Sequence, residues 1–454
     1  MHSVRRMLSA ALALVVSSVI AGSAADWPQW RGPGGQGIST ESALPATWGP
    51  DENVAWKTAL PGSGRSQPIV WGNRVFLTAD VDAGPAPDGH AAPEHLIEGK
   101  PFLHPDSTGA NRRHALKVVA LDLDSGAIVW ERTAYEGPVF DNIHRRSSYA
   151  SPTMITDGAL VYAYFGPEGL YAYDFQGTLR WKASVGNFAL LGMGTGSSPV
   201  LAGGLIVIQR DENAGQDSRL LAFDKQTGEE VWRTPRPVSA SWSTPLVVDV
   251  DGRTELITNG NEFVIAYDPA TGRELWRAKG LESNAIHTPL SGHGLVIVSA
   301  GYPAKRVMAI RPGGSGDITG TDRIVWTYAR GTGYVISPIL YGDHVYLISD
   351  SGIVTCLDAK TGDVRYEGGR VPEPGSFMAS PVAFDGKLLL TSSDGDSYTI
   401  KAGPVHEVVA KSSIDEPVAS TPAVAHGRLL LRGEKHLYCI RRTSAAGPDG
   451  AGGD

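Results

Sequence analysis

The side chains best suited to bind an anion or another small ligand occur in short polar stretches that interrupt apolar runs. One stretch, residues 141–146, ends in a histidine and two arginines, and two others hold an Arg-Asp pair and a single histidine. Guanidinium and imidazole groups donate hydrogen bonds to carboxylate and phosphate oxygens. The sequence therefore predicts a ligand-binding set made of His144, Arg145, Arg146, Arg210, Asp211 and His287.

The same polar residues have a second interpretation, in which they stabilise the fold and bind nothing. Arginines that lie close together repel one another unless acids or a ligand compensate their charge. Asp141, Asp211 and Glu212 are the acids nearest in sequence, and buried polar groups are normally hydrogen-bonded within the protein. A pocket and an internal polar network both remain open at this point.

Residues 81–114 form an insertion that carries four histidines, at positions 90, 95, 104 and 114. Their spacing matches no recognised metal-binding motif, so no metal site is predicted. Long loops on a rigid scaffold often carry binding residues, but the Pro, Gly and Ala content of this insertion also suits a mobile, solvated loop. No Ser-His-Asp, phosphate-loop or paired-carboxylate motif can be defended, so no catalytic residue is predicted.

A repeated strand unit must position these side chains, because it fills most of the chain. Eight apolar runs begin with a polar residue followed by proline, and from the second proline onward they are 41 to 49 residues apart. A fixed period of this size is typical of solenoids and propellers. The prolines are Pro68, Pro152, Pro199, Pro245, Pro289, Pro338, Pro381 and Pro422.

Several repeats contain an Asp followed by Gly and then Trp at intervals of four, as in Asp122, Gly126 and Trp130. Val, Ile, Leu and Tyr runs broken by Asp, Asn and Gly are typical of short strands joined by tight turns. We expect each Trp to fill the wedge between neighbouring sheets. In the fifth copy Arg311 replaces the Asp, and a longer loop delays Trp326.

The eighth copy lacks its last strand. It ends after residues 436–442 without a Trp. Residues 53–60, which contain Trp56, have the pattern of a fourth strand but stand before the first repeat, so no blade next to them in sequence needs that strand. Pairing that strand into the last blade would close the ring and leave no open edge there. The sequence therefore predicts an all-β, eight-bladed β-propeller of four-stranded antiparallel blades over residues 53–442, closed by an N-terminal strand.

The two cysteines, Cys356 and Cys439, occupy equivalent strands of blades six and eight, where most other copies have Ala. A whole blade separates them, and a disulfide requires Cα atoms within about 7 Å of each other. Both are therefore predicted to be free and buried.

The two ends of the chain lie outside the predicted propeller. Residues 1–25 have two arginines, an apolar stretch and small residues before Ala25, which are typical of a cleavable signal peptide and predict a periplasmic or secreted protein. The apolar stretch is too short to span a membrane, and no cysteine is placed to carry a lipid anchor. Residues 26–52 are expected to be an extension, and residues 443–454 a disordered tail.

The formal net charge is −8, and the chain has no basic run. A mildly acidic protein of this kind argues against a nucleic-acid partner. The expected state is a monomer.

The repeat in residues 222–232 and 266–276, with Ala, Asp, Thr-Gly and Trp at fixed spacing, resembles that of the pyrroloquinoline-quinone (PQQ) β-propellers. The resemblance covers nearly all of residues 53–442 and implies the propeller fold. It also implies two functional alternatives, because the family includes PQQ- and Ca²⁺-dependent dehydrogenases and non-catalytic propellers such as the BamB-type assembly factors. Fold alone does not choose between them.

The residues favour the non-catalytic alternative. Many PQQ alcohol dehydrogenases stack the quinone on a disulfide between adjacent cysteines, and this chain has no adjacent cysteines. No Cys-x-x-Cys-His motif for covalent haem occurs either. We therefore expect a secreted or periplasmic scaffold for a protein or a cell-surface polymer, without a cofactor. A PQQ-dependent oxidoreductase or small-ligand sensor with PQQ and Ca²⁺ at the central channel is the alternative.

Overall fold

Eight antiparallel sheets stand around a central channel in the computed structural model, which describes residues 25–97, 99–213, 217–282 and 284–442. Each sheet is one blade, and blades one to seven are built in chain order from an inner strand outward. This confirms the predicted all-β, eight-bladed propeller. The described helices are two short 3-10 turns, Pro33–Gly35 and Gly166–Glu168, and neither is long and apolar enough to cross a membrane.

The blades are numbered by their order in the chain, and each is given from its inner to its outer strand. Blades one to four are formed by Ile69–Trp71, Arg74–Pro85, Arg112–Asp122 and Ile128–Pro138; Ile155–Thr156, Leu160–Tyr164, Leu170–Asp174 and Leu179–Ala183; Val200–Ala202, Leu205–Arg210, Arg219–Asp224 and Glu230–Pro235; and Leu246–Val250, Arg253–Asn259, Glu262–Tyr267 and Glu274–Leu281.

Blades five to eight are formed by Leu290–Gly292, Leu295–Ala300, Arg306–Ile310 and Ile324–Tyr328; Ile339–Tyr341, His344–Ile348, Val354–Asp358 and Val364–Gly369; Val382–Phe384, Lys387–Thr391, Asp396–Lys401 and Val408–Ser413; and Ala423–Ala425, Arg428–Arg432, His436–Ile440 and Val54–Ala59.

Blade eight is completed by a strand from the other end of the chain, as predicted. Val54–Ala59 pairs with His436–Ile440, and Trp56 lies opposite Cys439. The indole of Trp56 is buried and donates from Nε1 to the carbonyl of Leu123 in blade one, at 2.9 Å. The closing strand therefore binds both the last blade and the first.

Five of the six motif tryptophans donate to the turn of the next blade, which confirms their predicted place between sheets. Trp130, for example, donates to the carbonyl of Phe175 at 2.9 Å and covers Gly177. Gly177 has φ +80, and a Cβ there would lie 2.7 Å from the indole. Only glycine fits both the backbone conformation and the ring above it.

Trp276 of blade four departs from this pattern because blade five has Arg311 where the turn Asp would be. Its indole donates instead to Glu255 within its own blade, at 2.8 Å. The longer loop of blade five folds back, and its residues Gly316–Asp317 pair in parallel with the outer strand of blade four. The loop thus covers an edge that the usual turn would leave open.

The insertion in blade one is held to blades two and three. His95–Ile97 and Lys100–Phe102 form a hairpin, and Ser107–Thr108 pairs with Ile143–His144 ahead of blade two. His95 is buried and contacts Asp141 at 3.0 Å and Asn213 at 2.9 Å. These contacts place the insertion beside the loops that lead into the inner strands.

A ring of hydrogen bonds joins the starts of the inner strands. In six of the blades the backbone N–H just before the inner strand donates to a side-chain hydroxyl of the next blade, at 2.9 to 3.1 Å. We call the residue at this point the hydroxyl position; its members are Gln67, Thr153, Ser198, Thr244, Thr288, Ser337, Ser380 and Thr421.

The hydroxyl position corrects one prediction about the repeat. It directly precedes the repeat proline in seven copies, but in blade two it is Thr153, which follows Pro152. The inner strand of that blade begins at Ile155. Proline therefore marks the inner strand in seven blades and lies two residues too early in blade two.

Residues 26–39 fill the channel from the side of the tight turns that follow the inner strands, which we call the turn face. Asp26 contacts such turns at Gly72 and His426, and Trp27 pairs with Val70. The segment reaches deepest at Trp30, whose indole donates to Thr288 at 2.8 Å, and Arg31, whose N–H donates to Gln67 at 2.7 Å. The extension is thus a plug.

Both cysteines are free and buried, as predicted. Burial raises the pKa of each thiol to about 12, so both stay protonated at neutral pH. The predicted signal peptide, apart from Ala25, and the predicted tail at 443–454 lie outside the described residues.

Candidate functional site

The opposite end of the channel is an open cavity of about 460 Å³. Its wall is made by the loops that lead into the inner strands, which define the loop face of the ring. All eight blades contribute at least one residue. The lining residues are Arg65, His144, Arg146, Ser147, Ser151, Met193, Gly196, Trp242, Ile286, Tyr334, Val335, Asp350, Ser376, Phe377, Met378 and Ala419.

One aligned position supplies a lining residue in every blade. It stands two residues before the hydroxyl position, and we call it the rim position; its members are Arg65, Ser151, Gly196, Trp242, Ile286, Val335, Met378 and Ala419. The residue between the two positions is buried in all eight blades. This alternation is expected of extended backbone, in which successive side chains point to opposite sides.

Arg65 is the one charged residue at the rim position. Its side chain makes no hydrogen bond or ion pair with any residue that the structure describes, and burial lowers its pKa, opposed by Glu434. Beneath it, Arg432 is fully buried and donates to the carbonyls of Ser66 and Thr78, at 3.0 and 2.8 Å. Burial, assisted by Arg65, lowers the pKa of Arg432 to about 9.

His144 and Arg146 are the two members of the predicted ligand-binding set that line the cavity. The Nδ1 of His144 accepts from the N–H of Arg146 at 3.1 Å, and its Nε2 lies 3.5 Å from Asp106. Burial lowers the pKa of His144, although Asp106 opposes this. The side chain of Arg146 is exposed and has no ion-pair partner among the described residues.

Arg145 and Arg210 lie elsewhere. Arg145 points to the insertion and donates to Asp106 at 2.8 Å. Arg210 is buried at the end of the second strand of blade three, where it contacts Asp217, the carbonyl of Asn187 and the ring of Phe188. Both arginines have internal partners, and neither belongs to the cavity wall.

Asp211 and His287 are also satisfied internally. Asp211 is buried and accepts from Arg236, at 2.8 Å, and from Gln209 and Ser241. His287 donates from Nε2 to the carbonyls of Gly333 and Tyr334, at 3.1 and 3.2 Å, and accepts from Ser299 at 2.8 Å. Burial lowers the pKa of His287 to about 4, so the ring is neutral.

The prediction did not include the apolar residues of the wall, such as Trp242, Phe377 and Met378. Their types carry no chemistry of their own that would single them out in the sequence. A usable signal existed, because the rim position has a fixed offset from the hydroxyl position. His287 occupies the buried position next to Ile286, which lines the cavity.

The cavity wall does not provide the ligands that Ca²⁺ beside a quinone would need. Calcium takes six to eight oxygen ligands, usually including several carboxylates. Asp350 is the one carboxylate among the lining residues, and its Oδ1 already accepts from the N–H of Tyr334 at 2.7 Å. A bound calcium therefore does not fit this donor set.

A second possible cation site lies at the edge of the cavity, where the ligand atoms of His104, Asp106 and His144 lie within 4.8 Å of one another. The Nδ1 of each histidine accepts a backbone N–H, at 3.1 Å in both cases. A neutral ring in this state carries its proton on Nε2, the nitrogen a metal would need. The arrangement therefore opposes metal binding.

The fold and the site together define the class: an eight-bladed propeller whose channel is plugged on one face and open on the other. The family model described as "Outer membrane protein assembly factor BamB" matches residues 46–234 and 216–374. The chain belongs to this family.

Similarity to individual relatives is distant. The outer membrane protein assembly factor BamB of Burkholderia pseudomallei (strain K96243) is 31% identical over 111 residues, which are 24% of this chain and 28% of that relative. The aligned part therefore spans less than a third of the curated relative.

Two solved structures share the fold. BamB from Moraxella catarrhalis has a TM-score of 0.58 at 14% identity and covers 85% of this chain and 99% of its own. Quinohemoprotein alcohol dehydrogenase from Comamonas testosteroni has a TM-score of 0.63 at 12% identity and covers 92% of this chain and 81% of its own. At these identities the likeness concerns the fold alone.

Proposed function

We propose that this protein is a non-catalytic scaffold of the cell envelope that holds an extended segment of a partner protein in its central cavity. The observation that carries the proposal is the wall itself: seven of the eight rim residues are uncharged, and they include the half-buried Trp242 and Met378. Apolar cavities rimmed by polar residues are typical of binding sites.

The surroundings of the cavity favour a large occupant. Exposed apolar side chains continue beyond it: Tyr302 and Tyr334 lie together at 5.1 Å between ring centroids, with 56% and 37% of their surface exposed. Leu103 of the insertion is 71% exposed. A segment of a protein could cover all of these surfaces, whereas a small molecule would reach only the cavity.

The family supports the same role, because its description names an assembly factor. The predicted signal peptide agrees with a location outside the cytoplasm, which remains part of the proposal. No feature of the cavity wall provides a nucleophile activated by a neighbouring base, as a catalytic site would require.

A peptide library displayed on phage tests the docking role. We expect selected peptides to be rich in apolar residues and to bind with micromolar or better affinity. Met378→Asp, which places a charge on the cavity wall, should weaken binding at least tenfold. Gln226→Asp adds the same charge to an exposed turn on the turn face and should leave binding unchanged. Equal binding to both variants would place the site elsewhere.

A quinone-dependent oxidoreductase is the second candidate, favoured by two residues of the cavity wall, the half-buried Trp242 and Arg65, which has no ion-pair partner among the described residues. A planar quinone that bears carboxylates could use both groups. Its test is direct: purified protein is mixed with PQQ and Ca²⁺, then followed by quinone absorbance and by dye reduction with alcohols and sugars. We expect no dye reduction; substrate-dependent turnover would replace the scaffold proposal.

A further inference from the structure

We infer that the segment held in the central cavity carries a carboxylate next to an apolar side chain, and that Arg65 binds this carboxylate. The inference rests on the proposed docking function and adds the chemistry of the occupant. The apolar side chain would lie against Trp242 and Met378 on the wall.

The first argument is the isolation of Arg65. The other seven rim residues are uncharged, so nothing at its own level of the ring neutralises it. The chain pairs another buried arginine fully: Arg236 contacts Asp211 at 2.8 Å, with both side chains completely buried. The donors of a guanidinium that has no acceptor within the protein are available to a ligand carboxylate.

The second argument is the charge below the cavity. Arg432 and Arg31 are both fully buried, and each donates to backbone carbonyls without a carboxylate partner among the described residues. Burial lowers the pKa of each to about 9, which leaves both charged at neutral pH. Uncompensated positive charge in a low-dielectric interior produces a field that attracts an anion.

The third argument concerns the remaining charged groups around the cavity. Arg146 is an exposed second donor on the wall. Asp350 is the one acid on the wall and is engaged with Tyr334, while Glu434 acts on Arg65 from outside the wall. The cavity wall therefore carries two arginines and one acid, and one external carboxylate would restore the charge balance.

A pair of peptides tests the inference by fluorescence polarisation. Each is a fluorescein-labelled nonapeptide of Gly and Ser with a central Phe-Asp-Phe or, in the control, Phe-Asn-Phe. We expect the acidic peptide to bind about tenfold more tightly, equivalent to about 1.4 kcal/mol. Raising the salt concentration should weaken binding of the acidic peptide and leave binding of the amide peptide nearly unchanged.

Two arginine variants locate the effect. Arg65→Gln should remove most of the preference for the acidic peptide and retain the affinity for the amide peptide. Arg113→Gln is the matched control, because Arg113 is exposed and paired with Glu136 outside the cavity wall; it should change neither affinity. Circular dichroism melting checks that both variants fold.

Three results would overturn the inference. Equal affinity of the wild type for both peptides would show that the cavity does not recognise a carboxylate, and the proposed docking role would still stand. Binding of neither peptide would also reject it, and the phage library would then decide separately whether the cavity docks proteins. If 2-naphthoate displaced the acidic peptide and bound as tightly as the peptide does, the site would be assigned to a free aromatic acid instead.

Discussion

The two ends of the central channel are built on the same ring of inner strands and differ in what fills them. At the turn face the chain inserts its own residues 26–39, and Arg31 finds acceptors at Gln36 and Pro338, at 3.1 and 2.8 Å. At the loop face the cavity stays open, and Arg65 finds none among the described residues. At one end the chain supplies acceptors to its own arginine, and at the other the donors of Arg65 stay open to a ligand.

This difference shows how a repeat protein acquires a site. The repeat supplies eight nearly equivalent positions around an axis. The eight blades become different from one another through segments outside the repeat and through single residues within it. The plug fills the channel at the turn face, and Arg65 is the one charged rim residue at the loop face. The stability of the sealed end and the binding at the open end should therefore respond separately to mutation.

Removal of residues 26–60 should have the largest effect, because it takes away both the plug and the strand that completes blade eight. We expect loss of the cooperative thermal transition and aggregation through the exposed strand edge. Removal of residues 26–52 alone retains Val54–Ala59 and should give a folded protein with a lower Tm. Size-exclusion chromatography and circular dichroism distinguish the two. An unchanged Tm after the longer deletion would contradict the observed closure.

Arg31→Met tests the sealed end at a single residue. The substitution leaves the carbonyls of Gln36 and Pro338 without their donor, and we expect the free energy of unfolding to fall by about 3 kcal/mol. The same change at Arg65 should cost less than about 0.5 kcal/mol, because that side chain has no partner to lose. Urea denaturation measures both; equal losses would show that the two ends do not differ.

His287 lies between the ends and should make stability depend on pH. Its folded pKa of about 4 lies below the unfolded value of 6.5, so the unfolded chain binds more protons between these values and stability falls on acidification. From pH 6.5 to 5 the loss is about 1.5 kcal/mol. Glu168, whose pKa burial raises to about 7, acts in the opposite direction.

Because of that opposition, the His287 effect is measured as a difference. Urea denaturation of the wild type and of His287→Gln at both pH values gives two slopes. The wild type should lose more stability on acidification than the variant. Identical pH dependence would mean that His287 does not remain neutral in the folded protein.

The smallest effect is expected away from both ends. Cys356→Ala and Cys439→Ala restore the residue that most other blades have at this position, and each should cost about 1 kcal/mol or less. Neither thiol should react with iodoacetamide in the folded protein, because the thiols are buried and protonated at neutral pH. Rapid labelling would show that the blades open locally.

Repetition explains why the architecture could be predicted and much of the site could not. Trp56 is assigned to blade eight because the eighth copy lacks a fourth strand and residues 53–60 form a strand that belongs to no other blade. Blade interiors depend on the apolar pattern, which the sequence contains directly. The site depends on which way individual side chains point, and a shift of one residue reverses that direction.

His287 and Ile286 illustrate the limit. The histidine has the more reactive side chain, yet the backbone directs it into the ring and directs Ile286 into the cavity. In blade two, Pro152 comes two residues earlier than the proline of the other copies, so aligning the prolines gives the wrong position for the residues that line the cavity. The two predicted residues that do line the cavity, His144 and Arg146, belong to a longer loop, where no periodic rule applied.

The closing strand also has a consequence in time. Val54–Ala59 and His436–Ile440 come from opposite ends of the described chain, so their pairing has a very high contact order and should form late. Until then blade eight has a free edge, and the adjoining plug has no completed channel to fill. The last folding step would therefore close the ring and fill the turn face of the channel at the same time. Chaperones would act chiefly on chains that have not yet completed that step.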